Sequence, residues 1–101
     1  MKKAIRVENG DNVAVVAQDT KKGDAVDCSG LEVVAGADIP LGHKIALGPV
    51  ERGSLVFKFG VPIGRASAPI RTGDYVHVHN LEDITEELCN GYEKKFREMG
   101  A

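Results

Sequence analysis

The chain has 101 residues, 43% of them apolar and 28% charged, which suffices for one domain and excludes a second independent core. Thirteen Lys and Arg against fifteen Asp and Glu leave a net charge of -2, without the basic excess that binding a nucleic acid backbone demands. No run approaches the roughly 20 apolar residues of a membrane span, and Met1 to Arg6 is charged where a signal peptide would be apolar.

These features predict a cytoplasmic protein that binds neither nucleic acid nor membrane. A core this small leaves little room for a deep substrate pocket, so a binding module or a subunit of a larger assembly is expected. Cys28 and Cys89 are far apart and outside any CxxC spacing, which predicts two reduced thiols.

In chain order, short apolar runs at Val13 to Ala17, Lys44 to Leu47, Leu55 to Phe59 and Tyr75 to His79 lie between Gly and Pro punctuation and predict strands. Ten of the twelve glycines and all four prolines precede Asn80. The sequence changes texture after that point. Ile84, Leu88, Tyr92 and Phe96 recur every fourth residue, and Asp83 with Glu86 has capping-box spacing, which predicts one helix. Glu82, Asp83, Glu86 and Glu87 suit the positive end of its macrodipole. Asn80 reads as the cap between strand and helix. The expected architecture is mainly β, residues 1–80, followed by a helical extension, 81–101.

A unit of the form apolar-x-x-Gly-x-x-apolar recurs at Ile39 to Ile45, Val50 to Val56 and Ile70 to Val76, with a fourth copy, Thr20 to Val26, that begins on Thr. Each copy predicts a tight turn whose Gly takes positive φ, with a strand starting two residues later. Uneven spacing between the copies excludes a fixed-period solenoid and favours folded-over hairpins around a shared core.

Asp11 to Val15, Gly42-His43-Lys44-Ile45-Ala46-Leu47, Gly53, Val56 to Gly60, Pro62 to Ala66, Ile70, Gly73 and His77-Val78-His79-Asn80 together resemble the SAF domain of the altronate and galactarate dehydratase family. The small subunit of sulfolactate sulfo-lyase is a further similar protein. The resemblance covers residues 3 to 81. It implies a β-clip fold and a hydro-lyase acting on sugar acids, with a divalent metal, iron (Fe2+) or manganese, as Lewis acid. It also implies a large catalytic subunit as partner, without which the chain is expected to be inactive. The alternatives are a small subunit of a sulfolactate-type sulfo-lyase, or a non-catalytic carbohydrate-binding or assembly module, including a self-associating one.

The histidines carry the most chemistry. On a strand, His77 and His79 would leave one face with about 6.5 Å between their Cα atoms, a workable pair of metal ligands, and His43 is the third candidate. The same three residues suit substrate hydroxyls or a carboxylate without touching metal. His43 and His77 are the candidate catalytic groups. Lys58 and Lys44 are candidate substrate-binding cations, Lys58 facing away from Phe57 and Phe59 if all three lie on a strand. Gly60, Gly64 and Gly73 read as turn glycines. No Ser or Cys lies in a nucleophile context.

Overall fold

The structure, a computed structural model, describes residues 1–84. Nine strands lie in that span: β1 (Lys2–Ile5), β2 (Val13–Val16), β3 (Ala25–Cys28), β4 (Leu31–Val34), β5 (Lys44–Ala46), β6 (Leu55–Lys58), β7 (Val61–Ala66), β8 (Tyr75–Val76) and β9 (Leu81–Glu82). Six form one sheet in the order β4-β3-β1-β2-β5-β8, and three form a second in the order β6-β7-β9. The mainly β expectation holds. The helix predicted after Asn80 falls almost wholly outside the described residues. Its first residues, Leu81 and Glu82, are instead a strand pairing with Ala66 and Arg65, so the strand-rich part runs past residue 80.

All four repeat units fold alike. Gly23, Gly42, Gly53 and Gly73 take φ of 91°, 85°, 90° and 88°, a region closed to most residues bearing a Cβ. In each unit the fifth residue donates its N–H to the carbonyl of the second: Asp24 to Lys21, His43 to Pro40, Ser54 to Glu51 and Asp74 to Arg71. The strands β3, β5, β6 and β8 then begin two residues after the glycine. The units also join in pairs through their first residues, Thr20 bridging Ile39 and Val50 bridging Ile70, both antiparallel. The first and last residues of every unit are buried, because the turn folds both ends of the seven-residue stretch inward.

Two apolar clusters result. One gathers Ala14, Val16, Val26, Ile39 and Ile45, the other Val13, Ala46, Val56, Ile70 and Val76. Consecutive strand residues point to opposite faces, so Val13 and Ala14 on β2, and Ile45 and Ala46 on β5, supply one side chain to each cluster. These two strands are the shared wall of the molecule. Each buried Val or Ile contributes about 1.5 to 3 kcal/mol.

Two hairpins close on two-residue loops in which both residues take positive φ: Ser29 (56°) with Gly30 (99°), and Phe59 (55°) with Gly60 (78°). That is the type I′ geometry that matches strand twist. Gly60 is therefore a turn glycine, as its sequence context predicts, but Gly64 is not. It lies within β7, where a Cβ would stand 2.6 Å from Leu81 Cδ1 and 2.7 Å from the Glu82 carbonyl oxygen. Its role is close strand packing. Pro62 also sits in β7, and the register against β6 shifts between Val56 and Phe57, the irregularity that accommodates a residue with no N–H.

Asp11 and Asn12 fasten the segment after β1 to the β6–β7 hairpin. The Asp11 carboxylate accepts the N–H of Gly60 (2.8 Å), Glu8 (3.1 Å) and Val7 (3.4 Å). Asn12 accepts the Phe57 N–H (2.7 Å) and donates its amide to the Leu55 carbonyl (3.0 Å). Burial alone would raise the Asp11 pKa, but the backbone N–H groups aimed at it outweigh burial and lower it below 3.8. Because the folded value lies under the unfolded one, this contribution is full above pH 3.8 and is lost as pH falls through the folded value. Asp11→Ala should cost about 2 to 3 kcal/mol, read as a fall of roughly 10 to 20 °C in thermal midpoint at neutral pH. The gap between variant and wild type should narrow below pH 3.8. A gap that stays constant down to about pH 2, below the ordinary carboxylate range, would argue against the charged carboxylate as the tie.

Cys28 is a free, buried thiol whose pKa burial pushes up to about 11. It belongs to the core and is poorly suited to nucleophilic chemistry.

Candidate functional site

Counted in chain order (20–26, 39–45, 50–56, 70–76), the second and fourth repeat units lie side by side, since β5 pairs antiparallel with β8 through Lys44 opposite Val76 and Ile45 opposite Tyr75. This pairing brings His43, at the mouth of β5, to the chain that leaves β8. The Tyr75 hydroxyl is 2.6 Å from His43 Nδ1. The His43 ring also meets His77 edge-on, with centroids 5.1 Å apart. Tyr75 stacks on His77 at 5.5 Å with 19° between planes, and meets His79 edge-on at 5.7 Å. One tyrosine thus touches every histidine in the sequence.

His77 and His79 are not on a strand. β8 ends at Val76, and residues 77–80 form a turn. Asn80 makes that turn: its Oδ1 accepts the His77 N–H (2.9 Å), its Nδ2 donates to the Tyr75 carbonyl (2.9 Å), and its own N–H donates to the His77 carbonyl (3.1 Å). An Asx-type turn of this kind competes with further strand pairing. Buried Asn80 therefore ends the strand as expected, but what it holds is the histidine turn. Val78 at the apex is 80% exposed, and the histidines on either side of it fold back onto Tyr75.

The repeat also explains why His43 is available. In the first and fourth units the fifth residue is Asp, and its Oδ2 accepts the N–H of the second residue, Asp24 from Lys21 and Asp74 from Arg71, both at 2.8 Å. In the second unit the second residue is Pro40, which has no N–H to give. A carboxylate there could not make this internal bond. The side chain at this position, His43, instead meets Tyr75 and His77.

The site is rich in cationic and titratable groups. Burial lowers the His77 pKa below 6.5, and His43, Lys44 and His79 lower it further by like charge. Lys44 is half-buried, and burial followed by the charge of Lys58 lowers its pKa. Lys58 is the last residue of β6, and the turn that follows changes the orientation expected for it. Phe59 leaves the strand at φ 55° and brings its ring to 5.6 Å from Lys58 Nζ, so Lys58 does not face away from both rings. Beside the cluster a cleft of about 320 Å³ is lined by Asp74, Tyr75, His79, Asn80 and Pro69 among others, a size suited to a small polar ligand.

As a metal centre the histidines make an incomplete set. Among the described residues no group of three or more His, Cys, Asp or Glu is placed to hold an ion. Tyr75 occupies His43 Nδ1, and the His79 ring lies edge-on to the same tyrosine. The residues present do not by themselves fit a resident metal. Sequence reasoning missed Tyr75 altogether. No local signal marks it, because Tyr75 reaches His43 only through the pairing of β5 with β8.

A β domain of turn-and-strand units that displays a histidine cluster from its turns defines the class. Residues 2–84 match the altronate/galactarate dehydratase SAF domain, and the chain belongs to that family. It is 34% identical over 99 residues to an altronate dehydratase of Bacillus subtilis, and 36% identical over 98 residues to one of Escherichia coli. These matches cover 97% and 96% of this chain but 20% of each relative, so the chain spans about a fifth of the length of those enzymes. It is also 41% identical over 56 residues to the (2R)-sulfolactate sulfo-lyase subunit alpha of Paracoccus pantotrophus, a match covering 55% of this chain and 84% of that relative. No helix among the described residues is long and apolar enough to cross a membrane.

Proposed function

We propose that this chain is the small SAF component of a hydro-lyase acting on a sugar acid such as altronate, and that it lends His43, His77 and His79 to an active site completed by a large catalytic polypeptide. The observation that carries this reading is the convergence of three histidines on Tyr75 beside Lys44, at the edge of an open cleft. Loss of water from a hydroxy acid requires removal of the proton α to the carboxylate and protonation of the departing hydroxyl, and imidazoles do both near neutral pH. His77, whose pKa burial and the like charges of His43, Lys44 and His79 lower, suits the proton acceptor. Lys44 and Lys58 favour an anionic ligand by charge. A divalent metal, iron or manganese, would supply Lewis-acid stabilisation of the enediolate charge, and since the ligand set in this chain is incomplete we assign it to the large polypeptide.

The experiment is to assay the purified chain, the large catalytic polypeptide of the same organism, and their mixture for dehydration of altronate and galactarate. Activity in the mixture alone supports the reading. Full activity of the lone chain, or of the large polypeptide without it, overturns it. A second reading, the small subunit of a sulfo-lyase, is favoured by the match to a subunit of similar size. Release of sulfite from (2R)-sulfolactate by the same mixture would select it. Binding of sugar acids with no turnover in any mixture would select a carbohydrate-binding module.

A further inference from the structure

We propose that Tyr75 is a positioning residue, whose hydroxyl donates to His43 Nδ1 and so presents the opposite nitrogen, Nε2, to the open side of the site as an N–H donor. The inference rests on the proposed active-site role of His43 for its functional meaning, but its physical content belongs to this chain alone. An O···N separation of 2.6 Å is shorter than the usual range for a ring N–H donating to oxygen, whereas hydroxyl donors reach it. With the phenol as donor and Nδ1 as acceptor, the imidazole proton is on Nε2.

The tyrosine can do this because its backbone is fixed on both sides. Tyr75 pairs with Ile45 across the sheet, and the Asn80 amide donates to its carbonyl. Its ring is wedged between His77 and the edges of His43 and His79. A neutral histidine held by one hydrogen bond keeps one tautomer and one ring orientation, which is what a group that must donate to a ligand in a fixed direction needs.

Nitrogen-15 imidazole spectra of the purified chain, recorded above about pH 8 where histidines are neutral, test this without substrate or partner. The wild type should show His43 with its proton on Nε2 and Nδ1 as a hydrogen-bonded acceptor. Tyr75→Phe keeps the ring and its contacts and removes only the hydroxyl. It should weaken the tautomer preference by about five- to tenfold, the worth of one net hydrogen bond, while the backbone amide spectrum stays that of a folded chain. Tyr75→Leu should in addition move the His77 and His79 ring signals. A wild-type spectrum with the His43 proton on Nδ1, or a Tyr75→Phe spectrum with His43 unchanged, overturns the proposal. Neither result depends on whether the chain joins a hydro-lyase, which the mixing assay decides separately.

Discussion

Gly73→Ala is expected to lower stability by about 4 kcal/mol, a large share of the roughly 5 to 15 kcal/mol available to a domain of this size. Two costs combine. At φ 88° any Cβ is strained by about 1 to 2 kcal/mol, and at Gly73 that Cβ would run into the carbonyl oxygen of Val34, with the Gly36 nitrogen 3.2 Å away. The surroundings have little freedom to yield, because Gly73 donates to the Ala46 carbonyl (2.8 Å) and accepts from Gly36 (2.9 Å). Gly23→Ala is the internal control. It has the same place in its repeat and a φ of 91°, but nothing lies within 4 Å of its Cβ, so only the strain of about 1 to 2 kcal/mol should appear. Urea melts of the two variants measure the difference directly. Equal midpoints would mean that packing of the fourth unit against Val34 contributes nothing.

In the proposed hydro-lyase assembly, His77→Ala should reduce turnover by about a hundred- to ten-thousandfold, the range for a lost acid or base, while altering the melting midpoint little. The measurement is kcat of the mixture with variant and wild-type chains at equal occupancy. Turnover within a few-fold of wild type would remove His77 from the chemistry. The same residue gives a pH signature. Its folded pKa lies below 6.5, so well above pH 6.5 it is neutral in both the folded and the unfolded chain and leaves stability unchanged. As pH falls from 6.5 toward the folded value, the unfolded chain takes up the proton first and stability declines. His77→Ala should therefore flatten the decline in midpoint that wild type shows on acidification below pH 6.5.

Much of the fold could be read from the sequence because its signals are local. A glycine that takes positive φ, with an apolar residue three positions after it and an apolar residue or Thr20 three before, is visible residue by residue, and all four such units fold as read. The strands between them were harder. β1 (Lys2–Ile5) buries only Ala4, and β7 contains Pro62 and Gly64, both weak strand signals that depend on a bulge and on Leu81. The histidines were legible as a group, but their geometry was not. His-x-His has strand spacing, yet Asn80, through three hydrogen bonds in its neighbourhood, turns the chain before the first of the pair. Tyr75 was invisible as a site residue because its partner, His43, is 32 positions away and meets it only through the pairing of β5 with β8.

Pro40 decides what the fifth residue of its own turn is free to do. Of the four like-shaped turns, two spend their fifth side chain on an internal bond to the second residue, and one is barred from doing so because proline offers no proton there. The side chain of His43 is thus left free of that internal bond by an omission three residues earlier in the same turn. Combining Pro40→Lys with His43→Asp should install in the second unit the internal bond that the first and fourth units make. Combining Lys21→Pro with Asp24→His in the first unit would open a position of the same shape elsewhere on the surface.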